Sequence, residues 1–264
     1  MRIDDVTDIL REAAETVVLP RFRALGERDV AEKAPGEVVT VADREAEELI
    51  SRRLRGLRDL PVVGEEATAA DPKLTDALRE APAAWLVDPL DGTSNFVAGH
   101  TDFAVMAALV RSGETVASWI VQPVSGRAYV AEQGAGAWRD GEQVRREPAP
   151  ADPARMHGAA LTRFLAPEAR AHVQAAAPRF GALGPGVSCA GVDYPRLVDG
   201  EEDFVLFHRT LPWDHAPGTL LLREAGGTAR RPDGTPHRPA DDGVGLLNAA
   251  DPACWETVRA LLLP

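Results

Sequence analysis

Two carboxylates three residues apart, in Asp88-Pro89-Leu90-Asp91-Gly92-Thr93-Ser94-Asn95-Phe96, form the cluster richest in chemistry. They follow Ala83 to Val87, an apolar run that reads as a buried strand. The acids therefore stand at the C-terminal end of a strand, where open sheets bind ligands. Pro89 stiffens the turn and has no N–H to donate. Asp88, the Leu90 carbonyl and Asp91 can then aim at a common point. All three are hard oxygen donors, suited to Mg²⁺ or Mn²⁺ rather than zinc. Gly92 and Thr93 expose backbone N–H groups at an expected helix start, which favours a phosphate. Metal ligands beside an anion cradle point to metal-assisted phosphoryl transfer to water. A plain Asx turn with a capping threonine is the other reading of the same residues.

Three further acid sites have two readings each. Glu65-Glu66 follows the short apolar run Pro61 to Gly64, either as ligands at a strand end or as a solvated loop. Asp214, in Leu211-Pro212-Trp213-Asp214-His215-Ala216-Pro217-Gly218, precedes an apolar helix and could simply cap it. Asp43 sits in Thr40-Val41-Ala42-Asp43, which matches a capping box.

The elements that must carry these residues follow from periodicity. Helical spacing of Ile3, Val6, Leu10, Ala13 and Val17 predicts a helix over 3–22. Pro35-Gly36 breaks the chain, and a second helix runs from Thr40 to Leu57. After the Asp88 cluster, strands over 103–111, 115–122 and 127–132, separated by turns, predict an antiparallel meander. Residues 146–154 read as a connector. Beyond it, strands over 157–161, 186–188, 204–207 and 244–247 alternate with helices over 167–177, 190–199, 215–225 and 252–263. The expected fold is mixed α/β, a layered α/β/α/β/α sandwich. Its expected division is 1–150, helices plus an antiparallel sheet carrying most of the acids, and 151–264, an α/β half completing the site within one compact unit.

Composition narrows the function. The chain has 264 residues, 45% hydrophobic and 27% charged, which is ample for a core. Its 29 basic and 41 acidic residues give a net charge of −12, unsuited to binding nucleic acid or an anionic membrane. Two cysteines, Cys189 and Cys254, lie far apart and outside any CxxC, so neither a disulfide framework nor a cysteine zinc site is expected. The longest apolar run, Phe103 to Val110, is too short for a membrane span, and the acidic N-terminus does not read as a signal peptide. The expected compartment is the cytoplasm. His215, beside Asp214, either faces the site or, as expected, lies on a helix surface, and Cys189 is expected as a small buried hydrophobe.

Together the motifs resemble the inositol monophosphatase family of lithium-sensitive, Mg²⁺-dependent phosphatases. The central family motif, Asp-Pro-Ile/Leu-Asp-Gly-Thr-x-Asn-Phe, is Asp88 to Phe96. The C-terminal Trp-Asp-x-Ala-x-Gly, followed by Glu-Ala-Gly-Gly, is Trp213 to Gly218 and Glu224 to Gly227. Gly-Glu-Glu is Gly64 to Glu66, and Val-Thr-x-x-Asp is Val39 to Asp43. The resemblance implies that Glu65, Asp88 and the Leu90 carbonyl bind a first metal, and Asp88, Asp91 and Asp214 a second. A third, weaker ion would sit near Glu65. The implied cofactor is Mg²⁺, two to three ions per site, with Mn²⁺ as a substitute. Thr93 and Asp43, with Glu65, would act on the attacking water. The N–H groups of Gly92 and Thr93 would hold phosphate oxygens. Asp91, Ala190, Phe207 and Asp214 would contact substrate. The resemblance also implies a homodimer and a small phosphate monoester as partner.

The sequence departs from the family at two places. Members specific for inositol phosphates carry an acid seven positions before the Trp-Asp aspartate; Phe207 stands there. The usual Gly-Ser/Thr-Ala reads Ser188-Cys189-Ala190. An aromatic ring in place of a carboxylate loses a charge-assisted acceptor for a polyol. Phe207 either packs in the core or walls a pocket for an imidazole, a nucleobase or a less hydroxylated alcohol. Histidinol phosphate and sugar or nucleotide bisphosphates are thus the alternative substrates. A nucleotide bisphosphate needs room and added positive charge for its second phosphate, which the motif residues do not supply. An inactive metal- or phosphate-binding regulatory subunit is the alternative from another class, and the complete acid set weighs against it.

Overall fold

A computed structural model describes residues 2–34, 36–241 and 243–263. The N-terminal apolar repeat forms a helix, Ile3–Ala13, that widens into a π-helical stretch, Ala14–Val18, and ends in a 3-10 turn, Leu19–Arg21. Pro20 offers no N–H to the carbonyl four residues earlier, which favours that loosened register. Strands Val30–Ala34 and Glu37–Thr40 then pair as an antiparallel hairpin. The sequence reading saw only a chain break here; Pro35 itself lies outside the described residues. Thr40 caps the helix Val41–Leu57 by the expected box: its hydroxyl accepts from the Ala42 N–H, and Asp43 accepts from the Thr40 N–H at 2.8 Å.

Among the described residues a seven-stranded sheet runs in spatial order Val62–Gly64, Ala83–Asp91, Ala104–Arg111, Glu114–Val121, Ala128–Glu132, Gly136–Arg139 and Glu142–Val144. The first pair is parallel and the rest form the expected antiparallel meander. The strand Ala104–Arg111 is apolar up to Val110 because both faces of the sheet are covered there. Val105, Ala107 and Leu109 pack with the two N-terminal helices. Ala104 and Met106 pack with Val192, Leu197, Leu220 and Leu221 of the helices Ala190–Asp199 and Pro212–Glu224.

A five-stranded sheet lies beyond those helices, in order Ala182–Gly184, His157–Ala160, Phe204–Phe207, Leu246–Ala249 and Thr228–Arg230. Its outer face carries Pro167–Ala176 and Pro252–Leu262, with Val173, Trp255 and Val258 against Phe204 and Leu247. This is the expected five-layer α/β/α/β/α sandwich. Some local expectations moved. The strand expected over 186–188 is an irregular turn, with Gly186 at φ +71 and Ser188 at φ +58, and the strand lies earlier, at Ala182–Gly184. Thr228–Arg230 was too short and polar to stand out. The expected 244–247 strand begins at Leu246, after Gly243 and Gly245 at positive φ. No helix among the described residues is long and apolar enough to cross a membrane.

Candidate active site

The strand Ala83–Asp91 does not end at Val87 but continues through the acids with a bulge. Asp88 pairs with Met106 and Asp91 with Ala104, so three steps on one strand face two on the other. Pro89 cannot donate to the ladder, and the extra residue re-aims the side chains beside it. Asp88 is 1% exposed, and its Oδ1 accepts from the Leu90 N–H at 3.0 Å. That is the local Asx geometry the alternative reading anticipated, and it leaves Oδ2 free of this bond. Gly92, at φ +85, then turns the chain sharply into the helix Thr93–Ala98. A Cβ there would lie 2.8 Å from the Asp102 carbonyl, so only glycine fits.

Asp91 is held by the other half of the molecule. Its Oδ2 accepts from the Gly191 N–H at 2.6 Å and from the Cys189 thiol at 3.2 Å. Gly191 is in the first turn of the Ala190–Asp199 helix, whose N-terminus therefore faces Asp91. A Cβ on Gly191 would come within 2.4 Å of Ala104 Cβ, so this close approach requires glycine. Cys189 is buried, as expected, and burial among Asp91, Asp193 and Asp88 keeps its thiol protonated.

Asp43 reaches the same place from the Val41–Leu57 helix. It is fully buried, and its Oδ1 accepts from the Thr93 hydroxyl at 2.9 Å. Thr40 donates to its Oδ2 through both N–H and hydroxyl. Burial raises the Asp43 carboxyl to about 6, against the lowering effect of the hydrogen bonds from Thr40 and Thr93. Asp43 is thus a cap and a partner of Thr93 at once.

Glu65 and Glu66 begin the short helix Glu65–Ala70. Lys33, from the hairpin, reaches both carboxylates at 2.6 Å. Glu47 secures the turn beneath them by accepting the Glu66 and Ala67 N–H groups, each at 2.8 Å. Asp214 is in the first turn of Pro212–Glu224, a helix that starts earlier than the expected 215 because Pro212 opens it.

Glu65, Asp88, Leu90, Asp91, Gly92, Thr93, Asp214, Ala190 and Phe207 line one cavity of about 550 Å³; Asp43 lies behind Thr93. Burial lifts the Asp88 and Asp214 carboxyls well above their usual range, and the neighbouring acids lift them further. Burial also brings Asp91 to about 6. The acids face one another without closing into a cage. Among the described residues no group of three or more His, Cys, Asp and Glu side chains is already arranged to hold a metal ion. Lys33 engages Glu65, and Gly191 and Cys189 engage Asp91, so both carboxylates have protein partners.

Phe207 is 4% exposed and stacks on Tyr194 with ring centroids 5.4 Å apart. It packs in the core and also lines the cavity. His215, expected on the surface, is buried. Its Nε2 donates to the Arg209 carbonyl at 2.9 Å, so Nδ1 accepts from the Tyr194 hydroxyl at 3.1 Å. Burial lowers it to about 4 and keeps it neutral.

Sequence reasoning missed Lys33, Glu47, Arg163 and Arg209. Glu47 carried a signal: with Asp43, Ile50 and Leu54 it falls on the buried stripe of its helix, where an acid needs a partner. The others gave none. Arg163 and Arg209 line the cavity from outside every motif, and so supply the positive charge that the motif residues lack.

The profile of the inositol monophosphatase family matches residues 3–261. An inositol-1-monophosphatase of Rhizobium meliloti is 32% identical over 214 residues, 78% of this chain and 76% of that protein. A fructose-1,6-bisphosphatase/inositol-1-monophosphatase of Thermotoga maritima is 28% identical over 230 residues, 86% and 83% of the two chains. The solved structure of a Thermotoga maritima IMPase matches with a TM-score of 0.83 and 23% identity over 99% of this chain and 96% of that one. The layered sandwich, with Glu65, Asp88, Asp91 and Asp214 on one acidic cavity and matched by the profile over residues 3–261, belongs to the inositol monophosphatase family.

Proposed function

We propose that the protein is a Mg²⁺-dependent phosphomonoesterase acting on a small phosphorylated alcohol. The observation that carries this reading is the Thr93–Asp43 hydrogen bond standing beside the acids Glu65, Asp88, Asp91 and Asp214 on one cavity. Among the described residues, four carboxylates there outnumber the cations on the same lining, Lys33 beside Glu65, Arg209 already paired with Glu37, and Arg163. Such an excess of largely buried negative charge suits divalent cations, and an all-oxygen donor set suits Mg²⁺ or Mn²⁺. Glu65, Asp88 and the Leu90 carbonyl would hold one ion, and Asp88, Asp91 and Asp214 another. When bound, the cations supply positive charge that offsets the charge developing on the ester and its leaving oxygen.

The chain's own groups do the remaining work. Asp43, ionised above about pH 6, accepts a proton through the Thr93 hydroxyl from the attacking water. Thr93 has one proton and two acceptors in reach, Asp43 and the Leu90 carbonyl at 3.0 Å, which fix its orientation. Glu65 lines the same cavity and would act with Thr93 and Asp43 on the water. The Gly92 and Thr93 N–H groups hold phosphate oxygens. Ala190 and Phe207 wall the alcohol, and Phe207 offers it no carboxylate acceptor.

Phosphate release with Mg²⁺ should be measured on a panel of alcohol, sugar and nucleotide monophosphates. Asp91→Asn and chelation should each abolish it, and lithium should inhibit. Full activity in chelator would overturn the metal chemistry, and an inert panel would overturn the phosphatase reading.

A further inference from the structure

We propose that a second cavity, between the N-terminal helix and the outer strands of the seven-stranded sheet, binds a primary amine carrying an apolar or aromatic body. The cavity measures about 550 Å³, room for a small molecule. Among the described residues it shares no lining residue with the catalytic cavity.

Sheet register builds it. Trp119 pairs with Val130, and Val130 with Trp138, across three antiparallel strands. Directly paired residues point to the same face, so the three side chains form one row. The helix Ile3–Ala13 covers the inner end of that row. Its Ile3 carbonyl accepts the Trp119 indole N–H at 2.9 Å, and Trp119 is fully buried. The outer end is left open. Val130 and Trp138 are only partly buried, and with Ile3 and Ala128 they form the apolar part of the lining. The opposite face of the same strands is closed, with Tyr129, Ala131 and Ala137 in one cluster with Leu220, Leu221 and Leu222 of the Pro212–Glu224 helix.

The polar part of the lining suits a cation. It holds Asp4, Glu132, Asp140 and Arg11. Asp140 is engaged by Arg11 at 3.8 Å and by the Ala128 N–H at 2.9 Å, and Asp4 by Arg2 at 3.2 Å. Glu132 is the acid left over. It lies two residues along its strand from Val130, on the same face, with no hydrogen bond or ion pair among the described residues. Thr7 is a second, independent mark. It is 8% exposed and lines the cavity, yet its hydroxyl has no hydrogen-bond partner among the described residues. The carbonyl one turn back, at Ile3, takes the Trp119 indole instead.

An ammonium group has three donors and no acceptor. It can donate to Glu132 and to the Thr7 hydroxyl, and the indole face of Trp138 attracts it. An anionic ligand would meet Glu132 as a like charge. A neutral one would fill the apolar part and leave Glu132 unpaired.

The probes are 3-phenylpropylamine, 3-phenylpropanol and 3-phenylpropionate, which share one body and differ in charge. Binding to the full chain is read by ligand-detected NMR titration, with and without Mg²⁺. The expected result is saturable binding of the amine, at least tenfold tighter than the alcohol, no binding of the acid, and no effect of Mg²⁺. Glu132→Gln and Trp138→Leu should each weaken the amine at least fivefold. Melting temperatures check that both variants fold. Absent amine binding, or equal binding of amine and alcohol, overturns the proposal. An amine displaced by Mg²⁺ sits on the catalytic acids, which also overturns it. Amine binding undiminished in either variant places the ligand elsewhere and does the same.

Discussion

The Thr93 hydroxyl donates to Asp43 Oδ1 at 2.9 Å, joining residues fifty positions apart in sequence. One comes from the helix after the bulged strand, the other from the first turn of the Val41–Leu57 helix. Asp43 has its other oxygen occupied by Thr40, so the oxygen facing Thr93 is fixed in place.

That relationship sets the first prediction. Thr93→Val removes the hydroxyl and should lower kcat by about 10²- to 10⁴-fold, the range of positioned proton transfer, with a smaller change in KM. Thr93→Ser should recover most of the rate. Steady-state phosphate release decides it; a Val variant within twofold of the parent removes Thr93 from the chemistry.

A second prediction concerns pH. Asp193 is fully buried, its Oδ1 accepts from the Val187 N–H at 3.1 Å, and its Oδ2 has no hydrogen-bond partner among the described residues. Burial raises it to about 7, with Glu202 and Asp91 adding to the shift. The folded state therefore holds a proton that the unfolded state has released. The resulting stabilisation is complete below about pH 4 and is lost as pH rises through about 7. By 1.36 kcal/mol per unit its size is roughly 4 kcal/mol. Asp43 acts in the same direction, over a window ending near pH 6. Asp193→Asn should flatten the fall of melting temperature between pH 5 and 8, measured in chelator. An unchanged slope would count against a buried, strained carboxyl.

Phe207 gives the third. It stacks on Tyr194 and meets His215 edge-on at 4.7 Å. Phe207→Ala should cost about 3–5 kcal/mol of stability, as for other buried aromatic truncations. Denaturant unfolding measures this; a cost under about 1 kcal/mol would show that the ring is not packed as a core residue.

Much of the site was legible before folding because the chemistry is written locally. Asp88, Leu90, Asp91, Gly92 and Thr93 sit in one turn, and the capping box of Thr40 and Asp43 is a local pattern that the structure reproduces. The layers were legible because amphipathic spacing of 3.6 and runs of apolar strand residues report which faces are covered. Short polar strands such as Thr228–Arg230, and the hairpin holding Lys33, gave no such signal.

What the sequence alone determined is the inventory: which acids, which turn, which alternation of helix and strand. Tertiary structure decided which residues meet. Strand order and register brought Arg163 beside Arg209, helix docking set Gly191 against Asp91, and burial turned His215 from an expected surface residue into a neutral core group. Local spacing encodes periodicity and turns, whereas contacts across many tens of residues depend on how sheets and helices stack. Proton affinities follow from the desolvation that stacking imposes.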